Sequence, residues 1–211
     1  MCTISSTQLN SFRPAFYLCY NRGMRRRIFI AINLPEKVKK RLVSFQKSWS
    51  LLPVRWVKEE NLHLTLAFLG YLDDEELVRV CQTIKEMTSR NSPFFIKLVK
   101  IDYGVKQKGI PRLIWAEGEP SRELDLFKED LDRTLAEAIG FVPEKRKFLP
   151  HITLGRIRKW DWQRIEPEER PDISEDFSLE FEVRSVEVME SRLKRGGAEY
   201  SIMESEELLK K

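Results

Sequence analysis

Histidine is nearly absent from this chain: 211 residues hold only two, His63 and His151. Cysteine is scarce too, and Cys2, Cys19 and Cys81 form neither a CxxC pair nor a ligand-spaced cluster. This argues against a disulfide framework and a thiolate zinc site, and a reducing cytoplasm is the expected compartment. Cys81 recurs at helical spacing with Leu77 and Ile84, the pattern of a buried core thiol. No stretch approaches the roughly 18 consecutive apolar residues of a membrane span, so no membrane association is expected. Acidic residues are missing from residues 1–23, whose only apolar run, "AFYLCY", is too short for a secretory signal. A disordered extension ahead of a start at Met24, or a transit peptide, is the expectation there.

With 42% hydrophobic residues, the chain can bury a substantial core, and residues 24–211 suit a single domain of two lobes. The net charge of +4 is unevenly laid out: residues 160–211 carry 8 basic and 15 acidic residues, leaving +11 for residues 1–159. Such asymmetry suits a polyanionic partner near the first part.

Strand and helix patterns alternate in two similar rounds. "RRIFIAINL" reads as a strand, followed after Pro35 by a helix with Val38, Leu42, Phe45 and Trp49 on one face. "VRWV" and "NLHLTLAFLG" read as strands. A helix then starts at Asp73, with Glu76 placed for a capping box. "FFIKLVKIDYG" and "RLIWAEG" form an antiparallel pair, and a long helix runs from Ser121 to Gly140. After a second strand of the "NLHLTLAFLG" kind and a Trp- and Pro-containing segment over 160–175, strands are expected near 176–183, 185–191 and 199–203, the last two joined at "KRGG". The fold class is α+β: a duplicated arrangement of two lobes, with antiparallel or mixed sheets and helices outside.

Both histidines head the same pattern, "HLTLAFLG" at 63–70 and "HITLGRIR" at 151–158. Side chains alternate across a strand, so His63, Thr65 and Ala67 share one face, as do His151, Thr153 and Gly155, with a slip in alternation near Gly155. The small Ala67 and Gly155 would leave room for a ligand. If the two strands face each other, two imidazoles flank one tetrahedral phosphate, one taking a proton and one giving a proton, while two hydroxyls grip its oxygens. Histidine suits both roles because its ordinary pKa of about 6.5 makes both forms accessible near neutrality. A satisfied interior histidine is the simpler reading of one copy. Two copies that use all the histidine of the chain reverse that preference. No Asp, Glu or Cys lies in either motif, so neither a metal nor a cofactor is expected.

These motifs resemble those of the two-histidine (2H) phosphoesterases, specifically the bacterial and archaeal RNA 2',3'-cyclic phosphodiesterases once called 2'-5' RNA ligases. The likeness extends to "RIFIAINLP", "VRWVKEENLHLTLAFLG", "RLIWAEG", "FLPHITLGR" and "SRLKRGGAEY", in family order. It implies a duplicated, bilobal LigT-like fold of two mainly antiparallel sheets facing a central cleft, with helices outside, and metal-independent hydrolysis of an RNA terminal 2',3'-cyclic phosphate to a 2'-phosphate. By motif position, His63 resembles the proton donor and His151 the proton acceptor. Thr65 and Thr153 resemble the phosphate-gripping hydroxyls, Arg156 a phosphate-binding arginine, and Phe68 a base-stacking residue, although simple alternation puts Phe68 on the packing face. Lys106, Lys108 and Arg112 in one loop, and Lys145, Arg146 and Lys147 in another, are candidates for holding an RNA backbone. The partner so implied is RNA ending in a cyclic phosphate, tRNA fragments included, and the chain is expected to act as a monomer. The alternatives are reversible 2'-5' RNA joining and cleavage, action on a small cyclic nucleotide, and a non-catalytic RNA-end binding module.

Overall fold

The alternating "RRIFIAIN" forms β1 (Arg26–Asn33), and Pro35, at the N-cap, leads into α1 (Glu36–Ser48), which buries Val38, Leu42 and Phe45. The computed structural model describes residues 25–107, 110–195 and 197–209. The N-terminal extension expected over residues 1–23, Lys108 and the side chain of Lys106 lie outside the described residues. After β2 (Val54–Trp56), a single 3-10 turn at Glu59–Asn61 delivers the chain to β3 (His63–Leu72). The expected capping box opens α2 (Asp74–Arg90): the Asp73 carboxylate accepts from the Glu76 amide, and the Glu76 carboxylate accepts from the Asp73 amide, both at 2.9 Å. Such a cap is worth about 1 kcal/mol. The long hairpin strands β4 (Phe94–Gln107) and β5 (Ile110–Gly118) follow. Ser121 Oγ caps α3 (Arg122–Ile139), which ends at Gly140 in the left-handed conformation that glycine adopts without strain.

The second motif forms β6 (His151–Ile157). The Trp- and Pro-containing segment beyond it holds a short helix, α4 (Lys159–Gln163), and a 3-10 turn at Pro167–Glu169, neither of them expected. Burial of the Trp162 side chain anchors this segment. Strands β7 (Glu175–Val183), β8 (Ser185–Lys194) and β9 (Gly197–Glu207) complete the chain, the last two forming a hairpin longer than its apolar pattern implied.

All strand pairs are antiparallel, in the order β7-β4-β5-β6-β3-β1-β8-β9, with β2 paired to β6. The two expected sheets are halves of one hydrogen-bonded sheet, joined where β3 meets β6 at the pair Leu64–Ile152. Beyond that pair β2 takes the place beside β6, with Trp56 opposite Gly155. Leu64, Leu66, Ile152 and Leu154 face one continuous core with the apolar stripes of α1, α2 and α3. Each such leucine or isoleucine contributes roughly 1.5–3 kcal/mol through removal from water. The helices thus occupy one face, and the alternate residues of β3 and β6 are presented on the other. Among the described residues no helix is long and apolar enough to cross a membrane.

Candidate active site

The Leu64–Ile152 pair falls at the second residue of both motifs. Continuing that antiparallel register, His63 lies opposite Thr153 and Thr65 opposite His151. The four polar residues, all half-buried, form a two-fold related cluster in which the histidines are diagonal neighbours. Diagonal cross-strand neighbours stand about 7–8 Å apart, a gap that one phosphate fills.

Both imidazoles are oriented in the same way. His63 Nδ1 lies 2.7 Å from the carbonyl oxygen of Asn61, and His151 Nδ1 lies 2.9 Å from that of Leu149. A carbonyl can only accept, so Nδ1 carries the proton in each ring and Nε2 is left for chemistry. The surroundings differ. His63 packs at 5.0 Å from the Phe29 ring and edge-on to Tyr200 at 5.1 Å. Burial holds its pKa below the ordinary histidine value; the bond to the Asn61 carbonyl opposes this, and the positive charges of His151 and Lys39 add to it. The ring of His151 rests 4.6 Å from the indole of Trp115.

Simple alternation fails just past each threonine. Pairing of β1 with β3 skips a residue between Thr65 and Ala67, and pairing of β5 with β6 skips one between Thr153 and Gly155. In each bulge two successive residues are buried, Leu66 with Ala67 and Leu154 with Gly155, and the next residue is turned to the site face. This corrects the expectation for Phe68, which is 62% exposed and faces Phe29 at 6.1 Å instead of entering the core. Arg156, at the equivalent step of β6, is also exposed. The same bulges overturn the expectation that Ala67 and Gly155 leave room for a ligand. Ala67 belongs to the core, and a Cβ on Gly155 would stand 2.4 Å from Val54 Cγ1 and 2.8 Å from Trp56 Cε3. Gly155 is small so that β2 can pack against β6.

Several residues at the site gave no signal of their own in the sequence. Trp115 reaches His151 because it pairs with Thr153 across the sheet and its indole covers Gly104, where a Cβ would approach within 2.3 Å. Tyr200 arrives on the β8–β9 hairpin, which folds over the site face and is tied down where Asn61 Nδ2 donates to the carbonyl of Ala198 at 3.2 Å. Arg55 stands directly opposite Arg156. Of the basic loop residues, Lys145, Arg146 and Lys147 are exposed on the turn leading to His151, and Arg112 is exposed beside Leu113, the β5 partner of Arg156. Cys81 is half-buried, its thiol pushed up to about 11 chiefly by burial, which keeps it protonated and inert. Among the described residues no three His, Cys, Asp or Glu side chains come together to hold a metal ion.

The family described as LigT like Phosphoesterase matches this chain twice, over residues 32–115 and 114–200. An RNA 2',3'-cyclic phosphodiesterase of Methanocaldococcus jannaschii is 31% identical over 84% of this chain and 98% of its own length. The solved structure of TT0787 of Thermus thermophilus superposes with a TM-score of 0.73 at 30% identity, covering 88% of this chain and 98% of that one. Escherichia coli LigT complexed with 3'-AMP gives 0.72 at 25% identity, covering 89% and 100%. Two family matches, one over each histidine motif, together cover most of the chain, which belongs to the LigT-like phosphoesterase family.

Proposed function

We propose that this chain hydrolyses the 2',3'-cyclic phosphate at the end of RNA, tRNA fragments among its substrates, to a 2'-phosphate without a metal, acting as a monomer in the cytoplasm. The crossing of the two motifs supports this best: it brings two imidazoles, each with Nε2 free of the Nδ1 hydrogen bond, diagonally across one site. In the cyclic diester, His151 Nε2 takes a proton from water as its oxygen bonds to phosphorus. The P–O3' bond breaks, and His63 Nε2–H protonates the departing 3'-oxygen. Thr65, Thr153 and Arg156 hold the non-bridging oxygens, and Phe68 offers its exposed ring to a base. Burial makes protonated His63 a stronger acid, while the bound phosphate anion favours the protonated form that burial disfavours. The two imidazoles complete both proton transfers of a strained ring opening, so the scheme has no step that calls for a cation.

The test is a product assay on an oligoribonucleotide with a defined 2',3'-cyclic end, in EDTA. A 2'-phosphate end should accumulate at the metal-replete rate. A 3'-phosphate product, or activity lost in EDTA and restored by one divalent metal, would overturn this reading.

A further inference from the structure

The two ends of the site are unlike. Because β3 and β6 run in opposite directions from Leu64–Ile152, their bulges turn Phe68 outward at one end and Arg156 at the other. Arg156 does not stand alone there. Arg55 occupies the directly opposite position of β2, so both side chains project from the same face, and both are exposed. Arg55 is also held in place. Its Nη2 lies 2.6 Å from where a Cβ of Gly197 would stand, so its guanidinium is laid against the tip of the β8–β9 hairpin. Gly197 has φ +129°, a conformation for glycine, and the close approach of Arg55 makes a second demand for that residue. Neighbouring Ala198 is bonded to Asn61, two residues before His63.

We propose that Arg55, beside Arg156, binds the 5'-phosphate of the nucleotide that carries the cyclic phosphate, making the enzyme selective for a cyclic nucleotide that bears a 5'-phosphate, alone or as the last residue of a strand, over one without it. The proposal rests on the function proposed above, with His63 as proton donor. His63 protonates the departing 3'-oxygen, so that oxygen, and with it the C3'–C4'–C5' edge of the ribose, lies on the His63 side of the phosphorus. In the strand register His63 is the histidine nearer the arginine end: it lies opposite Thr153, on the same side of Leu64–Ile152 as Arg156. The 5'-substituent therefore extends toward Arg55, and the base, on the 2'-oxygen side of the ring, toward Phe68. A planar guanidinium held against a backbone turn meets a phosphate with paired N–H donors. Two arginines at neighbouring positions suit two successive phosphates of one strand better than one, since the reacting phosphate already has two hydroxyls and two imidazoles around it.

The experiment compares adenosine 2',3'-cyclic phosphate with the same nucleotide bearing a 5'-phosphate, in wild type and Arg55→Gln. Wild type should favour the 5'-phosphorylated substrate in kcat/KM by about tenfold or more, the scale of one charge-assisted hydrogen-bonded contact. Arg55→Gln should bring that ratio close to one, and higher salt should erode it in wild type alone. A wild-type ratio of one, or a ratio that Arg55→Gln leaves intact even if both values fall, overturns the proposal while the cyclic phosphodiesterase reading stands. Wild-type enzyme that opens neither ring overturns both.

Discussion

Phe68 and Arg156 stand at the same step of two different strands, each three residues past the threonine of its motif and each turned to the site by a bulge over two buried neighbours. One end of a two-fold related frame thereby presents a ring and the other a cation. Phe68→Ala should raise KM for cyclic nucleotides by roughly five- to a hundredfold, the loss of one base-aromatic stack, with kcat little changed. Ribose 2',3'-cyclic phosphate without a base should be insensitive to the substitution. Equal losses with and without the base would remove the stacking role.

His63→Ala and His151→Ala should each lower kcat by about 10²–10⁴-fold, the usual worth of a positioned acid or base. The double variant should fall by less than the product of the two, because a site without its acid gains little from its base. Substrate affinity should change modestly, since Thr65, Thr153 and Arg156 remain. Single-turnover rates on folded variants, checked by circular dichroism, decide this; near wild-type kcat in either single variant would contradict the proposed roles.

The lowered proton affinity of His63 sets the sign of two pH effects. As the proton donor it must be charged, so kcat/KM should fall as pH rises through its folded-state pKa, below about 6.5. For stability, an unfolded histidine takes up its proton near pH 6.5 while folded His63 waits for lower pH. The unfolded chain therefore binds more protons between the two values, and its contribution to stability grows as pH rises across that window and is level above it. Proton NMR titration of the His63 C2–H resonance measures the first value, and urea midpoints of wild type and His63→Gln at pH 5.5 and 7.5 measure the second. A titration above 6.5 would contradict both.

The elements of the fold and the four residues gathered at the candidate site were legible because they depend on local pattern: apolar alternation, caps at Asp73 and Ser121, and two matching His-x-Thr triplets that use all the histidine the chain has. What stayed hidden depends on long-range register. The orientation of Phe68 turns on a bulge that only the pairing with β1 shows, since the run "LAFLG" after Thr65 is apolar throughout. Ala67 and Gly155 looked like space because period two put them on the site face, and the same displacement put them in the core. Arg55, Trp115 and Tyr200 are ordinary strand residues until β2, β5 and the last hairpin are placed around the motifs. The segment 160–175 carries charge and proline in place of periodicity, and the short helix at its start is held by Trp162, a tertiary contact.

Gly104→Ala should damage stability and turnover together. A Cβ there would lie 2.3–2.6 Å from three atoms of the Trp115 indole, whose displacement releases His151. Overpacking of this kind costs about 1–3 kcal/mol, a fall in Tm of roughly 2–12 °C for a chain of this size. Adding Trp115→Leu should recover most of the Tm without recovering kcat. A Gly104→Ala protein with wild-type Tm would refute the packing argument.

Neutralising Lys145, Arg146 and Lys147, exposed on the turn before His151, should raise KM for oligonucleotides and flatten its dependence on salt, since fewer counterions are released on binding. A cyclic mononucleotide should be spared. An equal effect on both substrates would mean that the turn acts on the position of His151 and not on the RNA backbone.

The strand order also dictates when the molecule can be completed during synthesis. Strands β4, β5, β6 and β7 come from one continuous stretch, Phe94 to Val183, whereas the other half of the sheet sets β1 between β3 and β8. Among the described strands β1 is made before the others and keeps one edge unpaired until β8 is made. At about 5–20 residues per second, β1 waits roughly 8–30 seconds for β8, and the hairpin that seats Tyr200 against His63 follows. The continuous half is therefore the earlier unit to fold, and a nascent chain stalled before Ser185 would hold both histidine motifs without the strand pair that finishes the site.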